Sequence, residues 1–99
     1  MFDRALRRIR HLVRAGLYVM TLHGQEEMEA DGLTVDDVER VLLTGEIVER
    51  QKDEKTGEAK YLVEGDGSNQ RRATVVAKIG PTGRLVIITV YLCTTEDEP

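Results

Sequence analysis

The residues best placed to do chemistry are His23 and Glu27, four positions apart in an acidic segment. In a helix this spacing puts both side chains on one face, so the carboxylate could hold one ring nitrogen and leave the other as a base. Thr21 stands where a side-chain oxygen would cap the start of that helix. His23 then falls in the first turn, where the helix dipole disfavours the imidazolium form. The alternative is that His23 only caps or packs.

Other polar residues supply the remaining parts of one reaction class. A metal-independent ribonuclease needs a base for the ribose 2′-hydroxyl, cations for the phosphate and an acid for the leaving oxygen. We assign the base to His23, and orientation or proton donation to Tyr91 or Thr89. The candidates for binding the phosphate are basic residues of the second half of the chain: Lys60, Lys78, Arg71 and Arg72. For each of these four, the simpler interpretation is a solvent-exposed strand position.

A metal site is poorly supported by the same segment. His23 and Glu27 could be two ligands and Glu26 or Asp31 a third, but His11, the other histidine, belongs to a different helix. The chain also has no glycine-rich phosphate loop after a strand, no serine elbow and no paired cysteines. We therefore expect no metal and no cofactor.

Composition limits the classes of protein that fit. The 99 residues are enough for a single domain with one core, spanning residues 1–99. No apolar run is long enough to cross a bilayer, so no membrane partner is expected. The lone cysteine, Cys93, fits a reducing compartment and predicts a cytoplasmic location. With no tryptophan and few aromatic residues, base stacking of the kind used by single-strand binders has little support.

Charge is unevenly distributed along the chain, whose formal net charge is -4. Residues 1–22 carry five arginines against one aspartate, whereas residues 23–58 are strongly acidic. The arginines lie opposite an apolar stripe, so residues 2–15 are predicted to form a basic amphipathic helix. Its arginine-rich face is most simply a solvated surface, and phosphate binding or docking of a partner is the alternative.

Two further helices and a short strand are expected in the first half. Residues 17–20 suit a strand, and residues 22–30 suit a helix that ends at the Asp31-Gly32 pair. Thr34 and Asp37 form the pattern of a capping box, so a third helix should start there and end at Gly45.

Four strands are expected in the second half, where alternating apolar residues are separated by turn residues. Their predicted ranges are residues 46–52, 59–64, 73–79 and 84–92. Short turns join antiparallel neighbours, so the fold class is α+β, with N-terminal helices packed on one face of a four- to five-stranded antiparallel sheet. The acidic residues 94–99 are expected to be a disordered tail.

Alternation along the last strand predicts the composition of its two faces. One face would carry Val86, Ile88, Val90 and Leu92. The other, more polar face would carry Leu85, Ile87, Thr89 and Tyr91, and could hold a site. Whether Lys60 and Lys78 share that face depends on strand register, which the sequence alone does not fix.

Several of these segments together resemble a bacterial family, the domain of unknown function DUF4258. The resemblance rests on His23 to Thr34, Asp37-Val38, Thr44 to Ile47 and Ile87 to Tyr91, and covers roughly residues 17–92. It implies a fold related to the RelE-like and barnase-like ribonuclease toxins. Many members of the family resemble a His-x-x-x-Arg-Met-x-x-Arg pattern, where this chain has Glu27 and Asp31 in place of the arginines.

Two functions are predicted from the residues and the resemblance together. One is a metal-independent endoribonuclease of a toxin-antitoxin system, which would bind RNA and an antitoxin-like protein. The other is a non-catalytic protein-interaction module that keeps the fold but has lost nuclease activity, as the acidic second helix and the negative net charge indicate. A homodimer formed through a sheet edge or the first helix is compatible with either.

Overall fold

Three helices and five strands make up the computed structural model, which describes residues 2–68 and 70–93. In chain order the elements are α1 (Asp3–Arg14), β1 (Tyr18–Met20), α2 (Leu22–Ala30), α3 (Val35–Thr44), β2 (Glu46–Lys52), β3 (Ala59–Asp66), β4 (Arg72–Ile79) and β5 (Leu85–Leu92). The predicted α+β class is therefore confirmed. The predicted tail, residues 94–99, lies outside the described residues.

The five strands form one sheet in the order β1-β5-β4-β3-β2. Strands β2 to β5 make the predicted antiparallel meander. β1, however, pairs in parallel with β5, with Tyr18 opposite Leu85 and Met20 opposite Ile87. The sheet is therefore mixed, because β1 joins the last strand of the chain across two helices and three strands rather than through a short turn.

The hydrophobic core lies between the helices and one face of the sheet. Its centre is a row of three fully buried valines, Val63, Val75 and Val90, which oppose one another across β3, β4 and β5. The helices cover this row with buried side chains of α1 and α3: Ile9, Leu12, Val13, Val38, Val41 and Leu42. Burying each valine of the row contributes about 1.5 kcal/mol or more to the free energy of unfolding.

The helix ends follow the predicted capping residues. Thr34 Oγ1 accepts a hydrogen bond from the Asp37 N–H at 3.2 Å, and Asp37 Oδ2 accepts one from the Thr34 N–H at 2.8 Å, which confirms the capping box of α3. At the other end of α3, a Cβ on Gly45 would lie 2.5 Å from the Glu64 carbonyl oxygen. Glycine is required there because the helix end approaches the backbone of β3. In the part of the chain that the structure describes, none of the helices is long and apolar enough to span a membrane.

A bulge in β5 changes which residues face the helices. Thr89 lies opposite Val76, but Ile87 lies opposite the next residue of β4, so Ile88 is an extra residue without a partner position. The prediction of uninterrupted alternation was therefore wrong. Leu85 and Ile87 are fully buried in the core, and after the bulge Val90 is buried in their place. Thr89 and Tyr91 consequently face the other side of the sheet.

We call that other side the open face. It is defined by the residues that alternate with the core positions of β3, β4 and β5: Lys60, Leu62, Glu64, Asp66, Arg72, Thr74, Val76, Lys78, Val86, Thr89 and Tyr91. Most of these side chains are partly accessible to solvent, and Thr74 is the buried exception.

Candidate functional site

The start of α2, the helix that carries His23, is hydrogen-bonded to the backbone of β5. The Thr21 N–H donates to the Ile87 carbonyl oxygen at 2.9 Å, and the Thr21 hydroxyl donates to the Ile88 carbonyl oxygen at 3.1 Å. The same hydroxyl oxygen accepts from the Gly24 N–H at 3.0 Å, so Thr21 caps α2 as predicted. A Cβ on Gly24 would lie 3.1 Å from the Ile88 carbonyl oxygen. The missing side chain lets the first turn of α2 lie directly on the strand.

His23 and Glu27 are close together on the exposed side of this contact. His23 Nε2 is 3.3 Å from Glu27 Oε1, and 66% of the His23 side chain is exposed. The same Glu27 oxygen accepts a hydrogen bond from the Val90 N–H of β5 at 3.2 Å. Glu27 is therefore held by the sheet, and it can fix the orientation of a solvent-accessible imidazole.

A second carboxylate, that of the C-cap residue Asp31 of α2, makes a similar contact one helical turn later. Asp31 Oδ2 accepts a hydrogen bond from the Leu92 N–H at 3.0 Å. β1 pairs with β5 only as far as Ile87, so the amides of Val90 and Leu92 would otherwise lack a strand partner on that side. The two acidic residues that differ from the arginine pattern thus bind alternate backbone amides of one strand, a role that the sequence analysis missed.

Strand register brings five of the predicted site residues onto the open face. Thr74 lies opposite Tyr91, and Val76 lies opposite Thr89. Lys78 is two residues beyond Val76, and the same alternation along β3 places Lys60 on this face. Arg72, two residues before Thr74, also lies on it, so Lys60, Arg72, Lys78, Thr89 and Tyr91 share one side of the sheet. Within the described residues, His23 makes no hydrogen bond to Thr89 or Tyr91.

Two of the four predicted phosphate ligands are paired with carboxylates. Lys78 Nζ lies 2.7 Å from Glu58 Oε1, and this hydrogen bond raises the pKa of Lys78. Arg72 lies 3.2 Å from Asp66 and 3.3 Å from Glu64, and the hydrogen bond to Asp66 is the main reason that the pKa of Arg72 is raised. A phosphate would have to displace these carboxylates or add to them.

The other two predicted phosphate ligands differ from each other. Arg71 donates to the Gly32 carbonyl oxygen at 2.7 Å and lies 3.6 Å from the buried Asp37 carboxylate, so it links the α2–α3 junction to the start of β4. Lys60 makes no ion pair within residues 2–68 and 70–93. Of the four, Lys60 is therefore the one whose charge no described carboxylate pairs.

Within residues 2–68 and 70–93, Cys93 and the acidic side chains form no second reactive centre. The Cys93 thiol lies 3.0 Å from Thr74 Oγ1, and burial raises its pKa, so the nucleophilic thiolate is disfavoured. In the described part of the chain, no three histidine, cysteine, aspartate or glutamate side chains cluster as metal ligands.

Comparison with known proteins locates the site within a family. Neither the curated proteins nor the solved structures contain a match. A family model described as Domain of unknown function (DUF4258) matches residues 20–92. The matched segment starts at the end of β1 and contains α2, α3 and strands β2 to β5, hence both the His23–Glu27 pair and the open face. With most of its length matched in this way, the chain belongs to the DUF4258 family.

Proposed function

We propose that this protein is a metal-independent endoribonuclease of the toxin-antitoxin type, with His23 as the general base. The observation that carries the proposal is the geometry of the His23–Glu27 pair: an exposed imidazole lies 3.3 Å from a carboxylate that a backbone amide of β5 holds in place. A positioned base whose partner group fixes its orientation is the arrangement that acid–base catalysis requires.

The reaction that fits these groups is transesterification of RNA. His23 would take the proton of a ribose 2′-hydroxyl, and that oxygen would attack the adjacent phosphorus while the 5′-oxygen leaves with a proton from an acid. The products are a 2′,3′-cyclic phosphate and a 5′-hydroxyl. Tyr91 and Thr89 are the candidate proton donors or orienting groups, because both lie on β5, the strand that α2 contacts.

Phosphate binding would depend on the basic residues of the open face. Lys60 is the first candidate. Arg72 could exchange a carboxylate for a phosphate, since solvent-exposed ion pairs stabilise a protein by only about 0 to 1 kcal/mol. The Lys78–Glu58 pair is partly buried, so Lys78 would exchange its carboxylate less readily. Arg71 is a weaker candidate because it already bridges a backbone carbonyl and the buried Asp37.

A His23→Ala variant tests the proposal. The purified wild-type protein should cleave single-stranded RNA to fragments ending in a cyclic phosphate, and the variant should be slower by about 10²- to 10⁴-fold because it lacks the base. Cleavage rates are measured from end-labelled RNA on denaturing gels. His11→Ala is the matched control, since His11 is exposed on α1 and outside the family match. Equal rates for wild type and His23→Ala, or no cleavage by either, would refute the proposal.

A non-catalytic interaction module is the second candidate. Three of the four proposed phosphate ligands, Lys78, Arg72 and Arg71, are already paired with carboxylates of the protein. This pairing favours a role other than phosphate binding. The protein to test is the product of the neighbouring gene, which a toxin-antitoxin arrangement would make the partner. Calorimetric binding of that product, with an affinity unchanged by His23→Ala and with no RNA cleavage, would support this second candidate over the first.

A further inference from the structure

Three arginines line one depression between α1 and the sheet. Arg4 and Arg8 lie one turn apart on α1, and Arg50 reaches the same place from β2. The depression has a volume of about 330 Å³. All three residues are exposed, and none of them forms an ion pair or a side-chain hydrogen bond with another described residue. Their guanidinium groups are thus available to a ligand.

The floor of the depression is aromatic and apolar. Phe2 and Tyr61 pack edge to face there, with ring centroids 6.5 Å apart and planes at 76°. Tyr61 lies opposite Arg50 in the β2–β3 register, and Ile79 completes the apolar lining. Two of the four aromatic residues of the chain are therefore gathered beneath the arginines.

The lack of acidic residues among its described lining distinguishes this depression from others of similar size. The adjacent depression contains Asp3 and Glu46, and three more on other parts of the described surface each contain two or more acidic residues. In a chain of net charge -4, a concave surface whose described lining consists of arginine, aromatic and aliphatic side chains has a local potential that attracts anions.

We propose that this depression binds single-stranded RNA, with its phosphodiester held by Arg4, Arg8 and Arg50 and a base placed against Tyr61. A guanidinium group can donate two parallel hydrogen bonds to the oxygens of one phosphate. An aromatic ring can stack on any of the four bases. The volume is in the range of small-ligand sites, which suits one nucleotide of a longer strand. An extended acidic peptide would satisfy the arginines but would make no use of the aromatic floor.

The depression is separate from the His23 site. Tyr61 belongs to the core-facing side of β3, whereas Thr89 and Tyr91 lie on the open face. Arg4 and Arg8 also lie outside the segment that matches the family. The depression therefore holds the RNA chain and does not touch the reacting atoms. The inference rests on the proposed function only in taking RNA as the ligand, because binding requires no cleavage.

Binding is tested with a short fluorescent single-stranded RNA that is 2′-O-methylated throughout and so cannot be cleaved through its 2′-hydroxyls. Fluorescence anisotropy gives Kd for the wild type and for Arg8→Glu and Arg50→Glu. Each variant should raise Kd about tenfold or more, and each should flatten the salt dependence of binding. The matched controls are Arg7→Glu and Arg14→Glu, which make the same charge change on α1 outside the depression and should raise Kd less than about threefold. Tyr61→Leu tests the contact with the base and should weaken binding without changing its salt dependence.

Several outcomes would overturn the inference. They are a wild type that does not bind the methylated RNA, controls that weaken binding as much as Arg8→Glu, and a polyglutamate peptide that binds in the RNA's place with the same dependence on Arg8 and Arg50. Circular dichroism verifies the fold of each variant, and Arg8→Gln or Arg50→Gln replaces the charge reversal at the same position if that reversal unfolds the protein. Cleavage of unmodified RNA that depends on His23, together with binding indifferent to Arg8 and Arg50, would refute this inference and leave the proposed function standing.

Discussion

Asp37 is a buried carboxylate, with 1% of its surface exposed, and its oxygens are fully used. Oδ2 accepts hydrogen bonds from the backbone and hydroxyl of Thr34, at 2.8 and 3.1 Å. Oδ1 accepts from the backbone and hydroxyl of Ser68, at 2.7 and 2.6 Å. The Ser68 hydroxyl and then the Thr34 amide hold the pKa of Asp37 well below its usual range. One side chain thus ties the start of α3 to the turn after β3.

Replacing Asp37 by asparagine should destabilise the fold. The amide has one acceptor oxygen instead of two, so a Thr34 or Ser68 donor is left unpaired, and we expect the free energy of unfolding to fall by about 2 to 4 kcal/mol. Urea denaturation measures the change. Asp36→Asn is the control, because Asp36 is the exposed neighbour, and it should change the free energy by less than about 0.5 kcal/mol. A stability loss equal in the two variants would contradict this account of Asp37.

The pH dependence of stability should also change in the Asp37→Asn variant. Because the folded-state pKa of Asp37 is depressed, its contribution is fully present above the unfolded-state pKa, about 3.9, and is lost as the pH falls below that value. The wild type should therefore lose stability between about pH 5 and pH 2 more steeply than Asp37→Asn does. Parallel curves for the two proteins would show that Asp37 does not titrate in this way.

Contacts between side chains a few positions apart in the sequence could be predicted. Thr34 and Asp37 are three positions apart, so the capping box depends only on local backbone geometry, and the prediction was confirmed. The closeness of His23 and Glu27 also follows from helical spacing, while the catalytic role of His23 stays a prediction. The bonds from Asp37 to Ser68 were missed, since they join residues 31 positions apart and depend on how α3 packs against β3.

Among the elements, α2 completes the sheet where β1 ends. Its C-cap residue, Asp31, accepts a hydrogen bond from the Leu92 amide, so Asp31→Ala should expose that amide and lower the free energy of unfolding by about 1 to 3 kcal/mol. Hydrogen exchange followed by NMR should show faster exchange at Leu92. Glu26→Ala is the control, because Glu26 is an exposed residue of the same helix with no side-chain hydrogen bond in the described part of the chain. Unchanged protection at Leu92 in Asp31→Ala would count against the contact.

The arrangement of the strands could be predicted only in part. Turn residues and alternation located β2 to β5 because each hairpin joins neighbours in sequence. The parallel pairing of β1 with β5 was missed. A strand of three residues has too short a sequence pattern to indicate which distant strand it pairs with. The bulge at Ile88 was missed for a different reason. A bulge is a property of two paired strands, and the β5 sequence alternates smoothly through it.

For the whole molecule, the strand order places β4 between two long antiparallel partners. Amides of β4, such as that of Val75, should exchange only when the protein unfolds globally, whereas the outward-facing amides of β2 at the sheet edge should exchange through local opening. Native-state hydrogen exchange at increasing urea concentration measures both. Strong urea dependence is expected for β4 amides and weak dependence for the outward β2 amides. Similar dependence in both strands would contradict this ordering of stability.

The two edges of the sheet differ in what they offer to another polypeptide. On one side β1 is only three residues long, and the carboxylates of Glu27 and Asp31 occupy the amides beyond it. On the other side β2 presents seven residues with no strand outside it in the described chain, although a bulge near Val48 and flanking charges hinder continuous pairing. If two copies paired along β2 about a twofold axis, the outer edges of the joined sheet would be the two β1–β5 edges. At these edges the carboxylates of Glu27 and Asp31 already occupy amides of β5. Such an assembly would be closed at two subunits and could not extend into a fibre.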